Sequence, residues 1–427
     1  MASQWIISRR QDLTWLVGPA AASFAILAGF FILTAQMHVE AAIVIPVLYI
    51  LWSLFFDGTH VFATYSRTFF DREFVRHSRS VLWYSIVFLV GGPVLILLYY
   101  WAAGIEETRG FFVLFNRFGL CWAYYHLVRQ HWGFVSLYRR KNGETEVLGR
   151  RLDAALLAFG TLFPFAYYQA HHPQPAHIAE LVTIGPDTWR AVVINLWIVA
   201  GVSGALSLLL FKLGDAATEG GRILRMTAII VTATAIGGAV ATVRGFDTTL
   251  ELLSQLLLTG FLLTVVAQVV YLARAGKAGA PFNGPKWLCL GIVLATHNVV
   301  LLLPVPFLVA VVCVTILHNV QYHRIVQFHN SNQYGGHEAS VRFGFAAALA
   351  QRLVLFAGLA LAYSLFTTVP RAAAATFIES PLLNFTLTAF FWGIAFNHYY
   401  LDAIIWRPRG SAQLRQSLKM SEAGVTA

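Results

Sequence analysis

Long apolar stretches constrain this chain more than any other feature, because about 20 apolar residues span the hydrocarbon core of a bilayer as a helix. The sequence of 427 residues is 58% hydrophobic and only 12% charged, whereas a typical soluble domain carries about twice that charge. Hydropathy therefore predicts an all-α fold, a polytopic transmembrane bundle of about 12 spans. The predicted spans are 13–35, 41–65, 81–103, 111–137, 153–170, 189–211, 222–243, 249–273, 286–303, 306–323, 350–369 and 382–406.

The distribution of basic residues predicts the orientation of this bundle. Of the 30 Lys and Arg residues, 24 fall at the termini and in the loops on one side, four fall on the other side, and Arg117 and Arg129 lie inside spans. Basic residues favour the cytoplasmic side of a membrane, so both termini are predicted to be cytoplasmic. The net charge of +10 is explained by these flanking residues and gives no reason to expect nucleic-acid binding.

The ends of the chain and its cysteines complete the domain assignment. The first residues lack the cleavage site of a signal peptide, so the first span is expected to be retained. We expect one transmembrane domain over 1–409, followed by a polar, disordered cytoplasmic tail over 410–427, in a multi-pass protein of the bacterial inner membrane. Cys121, Cys289 and Cys313 lie in apolar spans and indicate neither disulfides nor a thiolate metal site.

Polar residues cluster near the cytoplasmic ends of four predicted spans: the second, fourth, tenth and twelfth. His60, His131, His318 and His398 lie six to nine residues from the next basic residue, or about 9–14 Å along a helix, so they share one layer of the membrane, and His126 lies deeper. Polar groups at that depth are costly and by default mark a functional site. We therefore predict that the four spans are neighbours and that their polar residues line a cavity open to the cytoplasm. The predicted metal ligands are His60, His126, His131, His318, His323 and His398, and the predicted catalytic residues are Asp57, Arg129 and Asp402.

The spacing of these residues predicts which of them share a helix face. Asp57 and His60 are three residues apart, and His398 and Asp402 are four apart, so each pair lies on one face. Two segments, HLVRQH (126–131) and HNVQYH (318–323), each contain two histidines five residues apart. Five residues turn a regular helix about 140° from its starting direction, so a π-bulge or a helix end is expected there.

Three further residues carry narrower expectations. Arg129, inside the fourth span, is expected to pair with Asp57 or Asp402, because an unpaired charge in the bilayer is costly. His329 is a further residue that could join the site. His297, in the middle of the ninth span, is expected only to hydrogen-bond a neighbouring helix.

Nitrogen and oxygen ligands of this kind suit iron, zinc or copper. A catalytic zinc needs only three protein ligands, so six histidines indicate two metal ions. The segments HLVRQH and HNVQYH, on the cytoplasmic side, resemble those of the membrane-bound histidine-box oxygenases: fatty acid desaturases, alkane hydroxylases, and sterol or carotenoid hydroxylases. The sequence lacks that family's His-X-X-His-His box and has more spans. The resemblance implies a non-haem di-iron oxidoreductase that acts on a lipidic substrate and receives electrons from an external donor.

Two other classes of function fit the same residues. A proton-coupled transporter would also have 12 spans, cytoplasmic termini and a relay of His, Asp and Arg side chains. A haem-binding membrane protein would use paired histidines as axial ligands, although this leaves the two aspartates unexplained. Metal analysis of the purified protein separates the first class from the transporter.

Overall fold

The computed structural model describes residues 4–172, 246–336, 338–408 and 411–420. Within these residues the regular structure is entirely helical, which agrees with the predicted all-α class. The helices are α1 (Arg9–Phe31, continued by a π-helix over Ile32–Gln36), α2 (Ala41–Trp52, continued by a π-helix over Ser53–Asp57), α3 (Gly58–Ser66), α4 (Arg72–His77), α5 (Arg79–Ala103), α6 (Ile105–Lys141), α7 (Val147–His171), α8 (Phe246–Lys277), α9 (Gly284–Leu302), α10 (Phe307–Gln333), α11 (Ala339–Phe343), α12 (Phe345–Gln351), α13 (Leu353–Phe377), α14 (Pro381–Ile405) and α15 (Ala412–Ser417).

Ten of the twelve predicted spans coincide with helices, and the other two, 189–211 and 222–243, lie outside the described residues. Seven stretches of the described chain are long and apolar enough to cross a membrane: Arg9–Gln36, Ala41–Ser66, Arg79–Ala103, Leu250–Lys277, Gly284–Leu302, Phe307–Gln333 and Leu353–Ala372. The chain therefore has the helices of an integral membrane protein. The three remaining spans, α6, α7 and α14, are at least 25 residues long and carry polar side chains described below.

The four helical segments that carry the predicted site pack against one another. Both α3 and α6 contact α10 and α14, so the second, fourth, tenth and twelfth spans are neighbours, as their shared histidine depth predicted. The histidines meet where these helices contact one another.

Glycines and one asparagine hold α14 against α5. A Cβ atom at Gly92 would lie 2.9 Å from the carbonyl oxygen of Ala389, so only glycine permits this close approach of the two backbones. Directly before His398 in the chain, Asn397 Nδ2 donates a hydrogen bond of 2.8 Å to the carbonyl of Ser85. The rotation of α14 is thereby fixed, and it directs His398 away from α5 and into the bundle.

The helices at the two histidine pairs are regular. Both α6 and α10 continue as α-helix through residues 126–131 and 318–323, so the expected π-bulge or helix end at these segments was wrong. The physical reason is that the two histidines of each pair face different neighbours, so no bulge is needed to bring them together. A π-helix does occur near the site, over Ser53–Asp57, directly before the helix that carries His60.

The tail is ordered over part of its length, which corrects the expected disorder for residues 411–420. Ser411 caps α15 by accepting a hydrogen bond from the backbone N–H of Leu414 at 3.0 Å. Leu414 and Leu418, four residues apart on one face, are 3% and 1% exposed in the main hydrophobic core. Burial of this apolar pair explains why a predominantly polar segment docks.

A network of buried ion pairs and hydrogen bonds connects helices α6, α7, α8 and α9. The Asp153 carboxylate on α7 is 0% exposed and pairs with Arg139 of α6 and, at 3.0 Å, with Lys286 of α9. Gln268 of α8 donates to the second carboxylate oxygen at 2.9 Å. Each charge in the network has an opposite partner, so its role is to hold four helices in register.

Candidate metal centre

Three imidazoles on three helices meet at their Nε2 atoms. His60 Nε2 on α3 lies 2.9 Å from His398 Nε2 on α14 and 3.2 Å from His318 Nε2 on α10. These side chains are 1–4% exposed, so the cluster is enclosed and does not line the open cavity that the sequence predicted. A neutral ring nitrogen carries either one hydrogen or one lone pair, so His60 Nε2 cannot form full hydrogen bonds with both neighbours.

Asp402 and His126 complete the cluster. Asp402 Oδ2 lies 3.8 Å from His398 Nε2 and 4.0 Å from His126 Nε2. The His126 ring stacks on Tyr399 with centroids 4.2 Å apart, and its Nε2 has no hydrogen-bond partner among the described residues. The carboxylate supplies the only formal charge among these five side chains, which favours a cation between them.

Two overlapping groups of side chains could each hold a metal ion, one formed by His60, His126 and His318 and the other by His126, His398 and Asp402. Within each group the ligand atoms lie within 4.8 Å of one another. For nitrogen ligands about 2.0–2.1 Å from a tetrahedral metal, the nitrogens would be separated by about 3.3–3.4 Å. Within the first group, the 3.2 Å between His60 Nε2 and His318 Nε2 is close to that spacing.

A hydroxyl network fixes the orientation and tautomer of His398. Thr64 Oγ1 and Tyr322 Oη both donate to Asp402 Oδ1, at 2.7 and 2.6 Å. With Asp402 ionised and accepting from both hydroxyls, the 2.8 Å contact between Thr64 Oγ1 and His398 Nδ1 has the ring as its donor. His398 therefore carries its hydrogen on Nδ1, and its Nε2 lone pair points at His60. Metal-binding histidines are commonly held in this way through the nitrogen that does not bind the metal.

The same four-residue spacing places this network on each helix. Thr64 follows His60 by four residues, Tyr322 follows His318 by four, and Asp402 follows His398 by four, so each polar partner lies one turn further along the same face. Thr64 and Tyr322 were not among the predicted site residues. This repeated spacing was the signal that could have found them.

An indole and a guanidinium close the cluster on the side of the predicted cytoplasmic loops. Trp406 Nε1 donates to Tyr322 Oη at 3.3 Å, and the Arg67 guanidinium carbon lies 4.0 Å from the centre of the Trp406 ring. Arg67 is 6% exposed. The polar network is therefore separated from the surface by a stacked cation–aromatic pair.

His131 and His323 lie beside this cluster instead of within it. The His131 ring is 5.7 Å from His297 and 6.2 Å from His318, and it belongs to neither group of metal-ligand atoms in the described chain. His323 lies 6.3 Å from the ring of His60, and its Nε2 bonds the Thr59 hydroxyl at 3.0 Å. The 140° turn between the histidines of each pair directs one member into the cluster and the other to its edge.

Arg129 and Asp57 do not join the cluster either. Arg129 is exposed, and within the described ranges no carboxylate lies at ion-pair distance from it, so its expected pairing with Asp57 or Asp402 was wrong. Because His126 and His131 both face inward, Arg129 lies about 130° from the direction midway between them. Asp57, on the π-helix, has Arg371 as its opposite charge.

The two other histidines that the sequence singled out form hydrogen bonds between helices. His297 Nδ1 contacts Tyr124 Oη at 2.7 Å, and that hydroxyl donates to the carbonyl of Thr161 at 2.7 Å. His297 therefore makes the inter-helix bond that was expected. His329 Nδ1 contacts the hydroxyl of Ser417 in α15 at 2.7 Å, so it anchors the tail and does not reach the cluster.

Comparison with known proteins adds no family assignment: no family model, no curated protein and no solved structure matches the chain.

Proposed function

We propose that this chain is an integral membrane metal-dependent oxidoreductase whose metal centre is formed by His60, His126, His318, His398 and Asp402. One observation carries the proposal: three Nε2 atoms and a carboxylate from three helices converge, with one imidazole held in the tautomer that leaves its Nε2 lone pair free. Buried polar groups that converge without full hydrogen bonding are costly, and a bound cation would offset that cost.

Iron is the metal we propose, with zinc and copper as the alternatives that nitrogen and oxygen ligands also suit. The two groups overlap at His126, whose neutral ring has one nitrogen lone pair and would hold one ion, so a second ion would need a ligand set of its own. Bound iron would supply the chemistry of oxygen activation and electron transfer. The protein's own contribution is to hold His398 through Thr64, to orient Asp402 through Tyr322, and to exclude bulk water by packing Trp406 and Arg67 over the centre.

The proposed substrate is lipidic. His60 and His318 lie in helices that are long and apolar enough to cross a membrane, so a molecule dissolved in the bilayer would reach them more easily than a polar solute. Reducing equivalents would come from an external electron donor. The 24-to-4 asymmetry of basic residues supports 12 spans, cytoplasmic termini and a metal centre in the cytoplasmic half of the membrane.

Elemental analysis of the purified protein tests this proposal. We expect one or two equivalents of iron in the wild type, and loss of that metal in His318→Ala and His398→Ala. The matched control is His171→Ala, since His171 is exposed and its hydrogen bond among the described residues goes to the Tyr167 carbonyl of its own helix at 3.0 Å. A folded wild-type protein that contains no metal after expression in metal-supplemented medium would contradict the proposal.

A proton-coupled transporter is the second candidate, and one observation favours it. Five imidazoles form a row, His297–His131–His318–His60–His398, with successive ring centroids 5.7, 6.2, 4.7 and 4.6 Å apart. Such a row is typical of a relay inside a membrane protein. Metal-free wild-type protein that moves protons across vesicles would establish this function in place of the first.

The geometry gives less support to haem. Axial histidines on opposite sides of a haem iron would have nitrogens about 4 Å apart, at about 2 Å per bond, with the porphyrin plane between them. The Nε2 atoms here are 2.9 and 3.2 Å apart, and their rings contact one another directly.

A further inference from the structure

Beside the proposed metal centre lies a group of buried polar atoms without protein partners. His131 on α6 is 0% exposed, and neither of its ring nitrogens has a hydrogen-bond partner in the described chain. His297 Nε2 and His318 Nδ1, on the two neighbouring rings, also lack partners there. Natural proteins seldom leave so many buried polar atoms unpaired unless ordered water bridges them.

Gln321 extends this group towards the surface. It lies three residues after His318 on α10 and is 3% exposed, and its side chain lies close enough to interact with His131, although neither its amide nitrogen nor its amide oxygen makes a hydrogen bond of normal geometry among the described residues. Three residues advance a helix by about 4.5 Å along its axis. Gln321 therefore lies nearly one turn further along α10, on the side of the bundle where Ile6 and Ile7 of the amino-terminal segment lie. We call this side the amino-terminal face.

A groove with polar and apolar walls opens at that level. It has a volume of about 30 Å³, and one water molecule needs roughly 10–15 Å³, so the groove has room for two or three. Gln321 is part of its wall. Phe134 and Tyr138 of α6 and Arg324 of α10 also line it.

The groove and the unpaired atoms follow one line through the bundle. Phe134 of the groove lies three residues after His131 on α6, just as Gln321 lies three residues after His318 on α10. Residues three apart share a helix face. A path thus leads from the groove past Gln321 to His131 and His318. It runs along the facing sides of α6 and α10 and ends at the three converging Nε2 atoms.

We propose that Gln321 and His131 line a narrow aqueous inlet, which admits water and hydrated protons from the amino-terminal face to the histidine cluster. The inlet gives the unpaired polar atoms a partner and gives an enclosed oxidoreductase centre a supply of protons from the aqueous phase. Its purpose rests on the proposed function, but the inlet itself does not depend on a bound metal.

Cysteine accessibility tests the inlet in the full chain. Gln321→Cys and His131→Cys are placed in a background in which Cys121, Cys289 and Cys313 are replaced by alanine, and membranes are treated with Ag⁺ and with a larger methanethiosulfonate. The matched control is Val312→Cys, which is also on α10 and is 1% exposed in an apolar cluster with Trp52 and Ile316.

We expect Gln321→Cys to react with Ag⁺ at least tenfold faster than Val312→Cys, and His131→Cys to react with Ag⁺ but not with the larger reagent. Adding Phe134→Trp to narrow the groove should slow both reactions. Rates equal to that of Val312→Cys in correctly folded protein would overturn the inlet.

Radiolytic footprinting of the wild type requires no substitution and covers the case in which His131→Cys does not fold. Tyr138 lines the groove and Tyr168 lies elsewhere in the core, and both are 2% exposed. We expect Tyr138 to be oxidised several-fold faster because water is held beside it, whereas equal rates would argue against a hydrated groove. Metal content is measured on the same preparation, so failure of the inlet and failure of the metal centre give different results.

Discussion

Replacing Thr64 with valine removes one hydroxyl from the centre of the hydrogen-bond network and preserves the shape of the side chain. Thr64 Oγ1 donates to the Asp402 carboxylate at 2.7 Å and accepts from His398 Nδ1 at 2.8 Å. Valine would lose a hydrogen bond to a charged group, worth about 1.5–3 kcal/mol, and would leave the buried His398 N–H unpaired, at a further cost of about 1–3 kcal/mol.

Part of that cost is expected to appear as weaker metal binding. His398 would no longer be held in the tautomer that presents its Nε2 lone pair, and loss of such an orienting bond typically lowers metal affinity about 10–100-fold. That decrease corresponds to about 1.4–2.7 kcal/mol. The remainder should appear as a lower thermal unfolding midpoint.

The assay is a chelator competition on purified protein, with metal content measured by elemental analysis and folding checked by size exclusion and thermal unfolding. Thr315→Val is the matched control, because the Thr315 hydroxyl lies on α10 and bonds only the carbonyls of Val311 and Val312 in its own helix. Wild-type metal affinity in a folded Thr64→Val protein would refute the role assigned to this hydroxyl.

Three further predictions follow from the charges of the molecule. Reporter fusions at Gly143 and near Thr426 should both read as cytoplasmic, since 24 basic residues lie on that side. An external signal from either fusion would reverse the predicted orientation. Asp153→Ala should destabilise the protein by about 1.5–3 kcal/mol, because Arg139 and Lys286 lose this carboxylate and keep the less buried Glu144 as their opposite charge. Glu106→Gln, which breaks an exposed 3.6 Å pair with Arg109, should change thermal or denaturant unfolding by less than about 1 kcal/mol, and equal effects of the two substitutions would contradict the network's role. The hydrogen bond from Arg342 holds the pKa of Glu73 below its ordinary value, so this carboxylate stabilises the fold above its unfolded pKa of about 4.3 and loses that contribution as pH falls further. Glu73→Gln should therefore flatten the acid side of a plot of unfolding midpoint against pH, and an unchanged slope would show that the pair contributes nothing.

The sequence by itself determined the class of fold and the layer of the site. Apolar stretches long enough to cross a bilayer predict helices, because the backbone N–H and C=O groups of such a stretch must hydrogen-bond within the segment when it lies in lipid. The common depth of His60, His318 and His398 was also readable, since depth along a helix is proportional to residue number. It correctly placed α3, α6, α10 and α14 beside one another.

Only the tertiary structure decided which polar residues meet within that layer. Residue spacing gives angles relative to a residue's own helix, whereas the direction of the bundle's centre depends on how each helix is rotated by its neighbours. For α14 that rotation is fixed by Gly92 on α5 and by the hydrogen bond from Asn397. Arg129 illustrates the consequence: spacing placed it one turn from His126, but packing directed both histidines of α6 inward and left the arginine exposed.

The partners of the histidines were decided in the same way. Thr64 and Tyr322 look like ordinary membrane residues in the sequence, and their importance arises because three helices bring both hydroxyls to one oxygen of Asp402. The order in part of the tail is also a tertiary effect, because Leu414 and Leu418 have a place to pack only once α10 is in position. Local sequence fixes the helix and the depth of each side chain, while the contacts that assign a proton to one ring nitrogen exist only in the assembled bundle.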